Sequence, residues 1–248
     1  MMGILETHGL TMEFRGFRAL DRVDLRIEPG ELRAVIGPNG AGKTTLFNLL
    51  SGLLRPTRGR IQFGGRDVTG LSAHELARRG IARSFQITSV FPRLTVLANV
   101  ELALQARTAL GYVWWRSEGL LRRFDGRAQA ILASIGLTGL AEREVATLPY
   151  GHKRVLEIGL AIALDPTLLL LDEPTAGLSV DDASRIVDVV RRVAEGRTII
   201  LVEHNMGVVA QLAQRITVLQ RGRVLAEGTY EALRANPAVI EAYLGGAA

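Results

Sequence analysis

An apolar run at residues 31–36 leads straight into Gly37-Pro38-Asn39-Gly40-Ala41-Gly42-Lys43-Thr44, and a helical pattern through Leu46, Leu49 and Leu50 comes directly after it. No other feature constrains the chain as much. The eight residues fit G-x-x-x-x-G-K-[ST], the phosphate-loop pattern. Glycine lets the backbone curl until successive amides face one anion, and the helix N-terminus adds its partial positive charge. Lys43 is then placed to bridge phosphate oxygens and the Thr44 hydroxyl to ligate Mg²⁺, with Thr45 next to it in the same turn. A strand feeding such a loop and then a helix belongs to an α/β fold.

The loop alone leaves the reaction open, because kinases, GTPases and recombinases share it. A second segment narrows it. Leu168-Leu169-Leu170-Leu171-Asp172-Glu173 reads as a buried strand ending in two carboxylates. Asp172 suits a water-mediated hold on Mg²⁺, and Glu173 suits a base that polarises an attacking water. Pro174 and Gly177 come next, so the acidic pair does not simply cap a helix. A third apolar strand, Thr198–Val202, is followed by His204. The C-terminal end of a central strand is where α/β ligand sites gather, and a neutral imidazole there donates a hydrogen bond to a γ-phosphate.

Around these landmarks the chain alternates strand and helix. Residues 22–28 alternate around Val23, Leu25 and Ile27, and residues 61–63 form another strand. Ser72 with Glu75 makes a capping box at a helix start. The stretch from about residue 95 to 164 is helical, interrupted at residues 108–126, where Trp114 and Trp115 sit beside basic residues. A helix over residues 181–194 presents Ala183, Ile186, Val187, Val190 and Val193 on one face. Residues 215–220 and 223–227 flank Arg221-Gly222 as a hairpin.

Composition closes off several classes. With 248 residues, 48% hydrophobic and 22% charged, the chain holds a sizeable core and is not disordered. The absence of cysteine removes disulfides, thiol nucleophiles and cysteine-ligated metals. The net charge of +5 comes from arginines in ones and twos, as at Arg78-Arg79, Arg122-Arg123 and Arg191-Arg192. That pattern fits a solvated surface and not a nucleic-acid groove. Residues 1–13 lack a signal pattern, and the apolar stretches at 158–164 and 168–171 fall short of the ~20 residues of a membrane span. A soluble chain is expected, with any membrane role supplied by a partner.

The order of these motifs resembles the ATPases of ABC (ATP-binding cassette) transporters, from Leu5 to Leu244. The resemblance implies a P-loop NTPase (RecA-like) α/β core with an N-terminal antiparallel β region, a helical subdomain inserted at about 87–164 and a C-terminal tail at about 229–248, all in one ATPase domain over 1–248. It places Phe14 against adenine, makes Gln86 the Q-loop glutamine near Mg²⁺ and the permease, Ala176-Gly177-Leu178-Ser179 the D-loop, and His204 the switch histidine. The signature loop falls on Leu148-Pro149-Tyr150-Gly151-His152, where the usual form is Leu-Ser-Gly-Gly-Gln. Pro149 brings neither hydroxyl nor amide hydrogen, so an altered clamp on a partner cassette's ATP is expected, made by the Gly151 amide and the helix after it.

Tyr150 before the signature glycine is similar to the first of two ATPases in branched-chain amino-acid importers. So are Ile81-Ala82-Arg83-Ser84-Phe85-Gln86, the run Val202-Glu203-His204-Asn205-Met206 and the tail from Asn236 to Gly245. The resemblance implies an ATP- and Mg²⁺-dependent hydrolase on the cytoplasmic face of the membrane. Its partners would be transmembrane permease subunits, a second ABC ATPase chain (a different chain or a second copy) and, indirectly, an external binding protein. Urea or amide import, lipopolysaccharide export, a non-transport ABC ATPase and a P-loop kinase are the competing readings.

Overall fold

A computed structural model describes residues 3–84, 90–106 and 124–244. Gln86, Trp114 and Trp115 lie outside the described residues, as does the end of the tail. Two sheets organise the rest. Strands β1 (Leu5–Phe14), β2 (Phe17–Ile27), β4 (Arg58–Phe63) and β5 (Arg66–Asp67) form an antiparallel sheet in the order β2-β1-β4-β5. The second sheet runs β10-β9-β3-β8-β7-β6, with β3 (Leu32–Ile36), β6 (Ile81–Ser84), β7 (Leu168–Asp172), β8 (Thr198–Val202), β9 (Arg215–Gln220) and β10 (Arg223–Gly228). Its strands pair in parallel except for β10, which returns antiparallel on β9.

The first strand pair is longer than the alternation suggested. β2 begins at Phe17, not at residue 22, because Arg15 and Gly16 both take positive φ in a tight turn that pairs Phe14 with Phe17. β1, which the sequence pattern did not single out, carries a left-handed Gly9 and several register shifts that blur its alternation.

β7 shows how the central strands are held. Leu169 and Leu171 enter the core shared with the helices, while Leu168 and Leu170 enter the one shared with the antiparallel sheet. A strand buried on both faces reads as unbroken leucine for that reason. The helical core is built by α3 (Val96–Ala106), α4 (Asp125–Ile135), α5 (Tyr150–Ala163) and α6 (Val180–Ala194). In α6, Ser179 accepts a hydrogen bond from the Asp182 amide, acidic residues start the helix and Arg191 and Arg192 end it. Its buried face is Ile186, Val187, Val189, Val190 and Val193, with Ala183 half-buried at the margin.

Smaller helices complete the chain. α1 (Lys43–Leu50) comes after β3, and α2 (Ala73–Arg78) starts on the Ser72–Glu75 capping box. Near the end come α7 (Met206–Leu212), α8 (Tyr230–Arg234) and α9 (Pro237–Leu244). Among the described residues no helix is long and apolar enough to cross a membrane.

Candidate nucleotide-binding and hydrolysis site

The strand register gathers the motifs. Val35 of β3 lies opposite Val202 of β8, and Val202 opposite Asp172 of β7. The residues just beyond these strand ends therefore share one edge of the sheet: the loop from Gly37, the pair Asp172-Glu173, and Glu203-His204. This is the carboxyl edge, where open α/β sheets carry their ligands.

Two of the loop's three glycines, Gly37 and Gly42, are required by space as well as by conformation. Gly37 has φ +154, and a Cβ there would sit 2.2 Å from the Leu219 carbonyl oxygen; at Gly42, with φ +103, it would meet the Ala19 carbonyl oxygen at 2.7 Å. The turn between β9 and β10 closes on the same loop, with the Gly222 amide donating to the Ala41 carbonyl at 3.0 Å and the Asp21 amide to the Gly222 carbonyl at 2.8 Å. Lys43 is buried, and its Nζ donates to the Gly37 carbonyl at 2.7 Å and the Pro38 carbonyl at 3.1 Å. Burial lowers the Lys43 pKa, and the nearby Glu173 and Asp172 carboxylates pull it back up. Pro38 is half-buried, Asn39 and Gly40 are exposed, Ala41 is buried, and Thr44 is exposed beside a half-buried Thr45. Phe14 stands at the turn of the first hairpin, 41% exposed.

Asp172 is buried at the end of β7, and its carboxylate accepts from Arg83 Nη2 at 2.6 Å. The same guanidinium donates to Asn48 Oδ1 at 2.8 Å and Ser51 Oγ at 3.0 Å, and stands 5.9 Å from the Phe47 ring centre. One buried arginine thus joins α1, β6 and β7. Glu173 takes a left-handed backbone, φ 45, its amide donating to the Val202 carbonyl at 2.9 Å. This turn aims its half-buried side chain back toward β8, where Glu173 Oε1 lies 3.8 Å from His204 Nδ1.

Arg154, one turn into α5, holds that turn from the other side. Its Nη2 donates to the carbonyls of Asp172 (3.2 Å) and Glu173 (3.0 Å), and its Nε to that of Pro174 (3.3 Å). Its Nη1 pairs with Glu157 at 2.7 Å. Burial pushes the Glu157 carboxyl pKa up, and Arg154 opposes the shift.

The segment expected to be the signature loop, Leu148 to His152, sits at the head of α5. Leu148 is buried, Pro149 is the N-cap with no side-chain bond, and Tyr150 is exposed. A Cβ at Gly151 would meet the Asp182 carboxylate of α6 at 2.6 Å, so a larger residue there would make that side chain turn away. Nδ1 of His152 is buried with no hydrogen-bond partner among the described residues.

The structure brings Lys43, Thr44, Asp172, Glu173 and His204 to one sheet edge and sets Leu148 to His152 on the helical layer. Gln86 lies outside the described residues. Three side chains escape a reading of the sequence: Arg83, Arg154 and Glu203. The signal is present as a charge inside an apolar strand (Arg83), an i,i+3 pair on a buried helix (Arg154 and Glu157), and an acid ending an all-apolar strand (Glu203).

Comparison with known proteins agrees with this geometry. The ABC transporter family model matches residues 20–176, and a second, described as branched-chain amino acid ATP-binding cassette transporter, matches residues 223–248. The chain is 39% identical over 254 residues, 98% of each chain, to the high-affinity branched-chain amino acid transport ATP-binding protein BraF of Pseudomonas aeruginosa. It superposes on the ADP conformation of MJ1267, an ATP-binding cassette of an ABC transporter, with a TM-score of 0.85 and 30% identity over 99% of this chain and 100% of that one. For the dimeric post-hydrolysis state of the cassette MJ0796 bound to ADP and Pi, the TM-score is 0.75 with 28% identity over 91% and 98%. With a phosphate loop, an acidic strand end and a histidine turn on one sheet edge, the chain belongs to the ABC transporter family, as one of its ATP-hydrolysing cassettes.

Proposed function

We propose that this cassette powers the import of branched-chain amino acids through separate membrane permease subunits. The observation that carries the reading is the end-to-end likeness to BraF, together with the match of the tail at 223–248 to a branched-chain amino acid transporter model. Its place is the cytoplasmic face of the membrane, held there by the permease. A helical subdomain over about 87–164 and the tail from about 229 complete a single ATPase domain.

The chemistry is divided among the residues. Phe14 packs on adenine, and the amides of the loop from Gly37 to Thr45 surround the β- and γ-phosphates, with Lys43 adding its charge. The hydroxyl of Thr44 and the carboxylate of Asp172, joined by Gln86, are hard oxygen donors that suit Mg²⁺. When bound, that ion neutralises charge on the phosphate oxygens. Glu173 accepts a proton from the attacking water as its oxygen bonds to the γ-phosphorus. The bond to the β–γ bridging oxygen breaks, and ADP leaves with the electron pair. His204 donates a hydrogen bond to a γ-phosphate oxygen.

A second cassette supplies the matching signature loop; the similar cassette MJ0796 forms a dimer in its post-hydrolysis state bound to ADP and Pi. In this chain the loop of Leu148, Pro149, Tyr150, Gly151 and His152 meets the partner's ATP, with Leu148 anchoring it in the core and the first amides of α5 doing what a signature serine otherwise does.

The test is affinity isolation of the tagged chain from detergent-solubilised membranes, with every co-isolated protein identified by mass. Two permease subunits, a second cassette and a binding protein that takes leucine, isoleucine or valine are expected. Recovery with an exporter's membrane subunits, or a binding protein specific for urea, would overturn the cargo and leave the ATPase intact.

A further inference from the structure

The residue after β8, Glu203, is fully buried, at 0% exposure. Its Oε1 accepts from the Thr175 amide at 3.1 Å and the Thr175 hydroxyl at 2.6 Å. Its Oε2 accepts from the amides of His204 at 3.2 Å and Asn205 at 3.3 Å. All four partners donate. A carboxylate accepts at both oxygens and satisfies them; a carboxamide offers one acceptor and turns an NH₂ toward two other donors.

The four donors belong to the two turns that carry the hydrolytic groups. Thr175 stands two residues after Glu173, and His204 is the residue directly after Glu203. One buried side chain therefore grips the Glu173 turn with one oxygen and the His204 turn with the other. We propose that Glu203 is a positioning residue for hydrolysis: it fixes the separation of Glu173 and His204, 3.8 Å between Oε1 and Nδ1, without touching nucleotide. The inference rests on the reading of Glu173 as the base and His204 as the γ-phosphate ligand.

Glu203→Gln keeps the shape of the side chain and frees one of the two turns, whichever way the carboxamide faces. In the assembled transporter, kcat is expected to fall by roughly 10- to 100-fold, the scale of a small misplacement of reacting groups. KM and the affinity for a non-hydrolysable ATP analogue should stay unchanged. Thr175→Val removes only the hydroxyl bond and should lower kcat less. Joined to Glu203→Gln it should add little, because both act on one joint.

Wild-type turnover in Glu203→Gln, or a fall in analogue affinity as large as the fall in kcat, would overturn the proposal. Should Glu203→Gln not fold, Thr175→Val decides: a lower kcat at unchanged KM supports the joint, and wild-type kcat overturns it. Glu173→Gln serves as the separate control. Full turnover there removes the base reading and the proposal together. An inactive Glu173→Gln beside a fully active Glu203→Gln removes the proposal alone.

Discussion

Arg83 and Asp172 face each other across 2.6 Å, both buried, on neighbouring strands. Breaking such a pair by removing one partner leaves a charge uncompensated, at a cost of about 3–5 kcal/mol. Arg83→Met is therefore expected to lose stability on that scale in urea denaturation, with Arg83→Lys losing less. Since Asp172 is also the proposed Mg²⁺ residue, Arg83→Met removes a positive charge that competes for its carboxylate and should lower the Mg²⁺ needed for half-maximal ATPase. A variant as stable as wild type would show that the pair contributes nothing.

Glu173 holds a left-handed backbone fixed by Arg154 and the Val202 carbonyl, so changing its side chain alone leaves the turn in place. Glu173→Gln should bind ATP with wild-type affinity while turnover drops by roughly 10²–10⁴-fold, the usual worth of a positioned base. Isothermal titration beside a phosphate-release assay separates the two quantities. Turnover within a few-fold of wild type would move the base elsewhere.

Pro149 caps α5 with φ −56 and ψ 153, much as Ser72 and Ser179 cap their helices with φ −68 and −64. A serine fits that backbone and brings the missing hydroxyl. Pro149→Ser should be more stable than Pro149→Ala by about 1 kcal/mol, the typical worth of a cap. In the assembled transporter it should also alter the affinity for ATP or the rate of hydrolysis. Equal stability of the serine and alanine variants would mean that the helix gains no cap there.

Glu101 on α3 is buried, and its carboxyl is raised to about 7, first by burial and then by the neighbouring Asp125 and Glu142. The folded state thus holds this proton more tightly than the unfolded chain, where the value is near 4.5. This group's contribution to stability is therefore greatest at acid pH and is lost as pH rises through about 7. Glu101→Gln, which cannot ionise, should melt higher than wild type at pH 8, with a gain of about 1 kcal/mol showing as roughly 2–4 °C. Below pH 4.5, where Glu101 is protonated in the folded and unfolded states alike, the two should converge. A gain that is the same at both pH values would point to packing instead of charge.

Much of this molecule is legible as sequence because its strongest signals are local. A phosphate loop declares itself through glycines that space demands, as Gly37 does against Leu219. A doubly buried strand declares itself as four leucines, and a capping box as Ser72 with Glu75. Legibility ends where a residue's meaning is set by something distant in the chain. Arg83 reads as a charge inside an apolar strand, but nothing near it announces its partner Asp172, 89 residues away. Arg154 and Glu203 likewise find their partners only once β7, β8 and α5 have come together. β1 is faint because its register shifts spoil the period of two.

The contact between Arg154 and the turn at residues 172–174 has an asymmetry with a practical side. On one side it needs a specific side chain; on the other it needs only three main-chain carbonyls. The joint between the helical layer and the sheet edge is thus indifferent to which side chains occupy the turn. For hybrids between relatives, this makes compatibility depend on inheriting the arginine and a turn of the same backbone shape. Percentage identity at the seam is the wrong guide to which halves will work together.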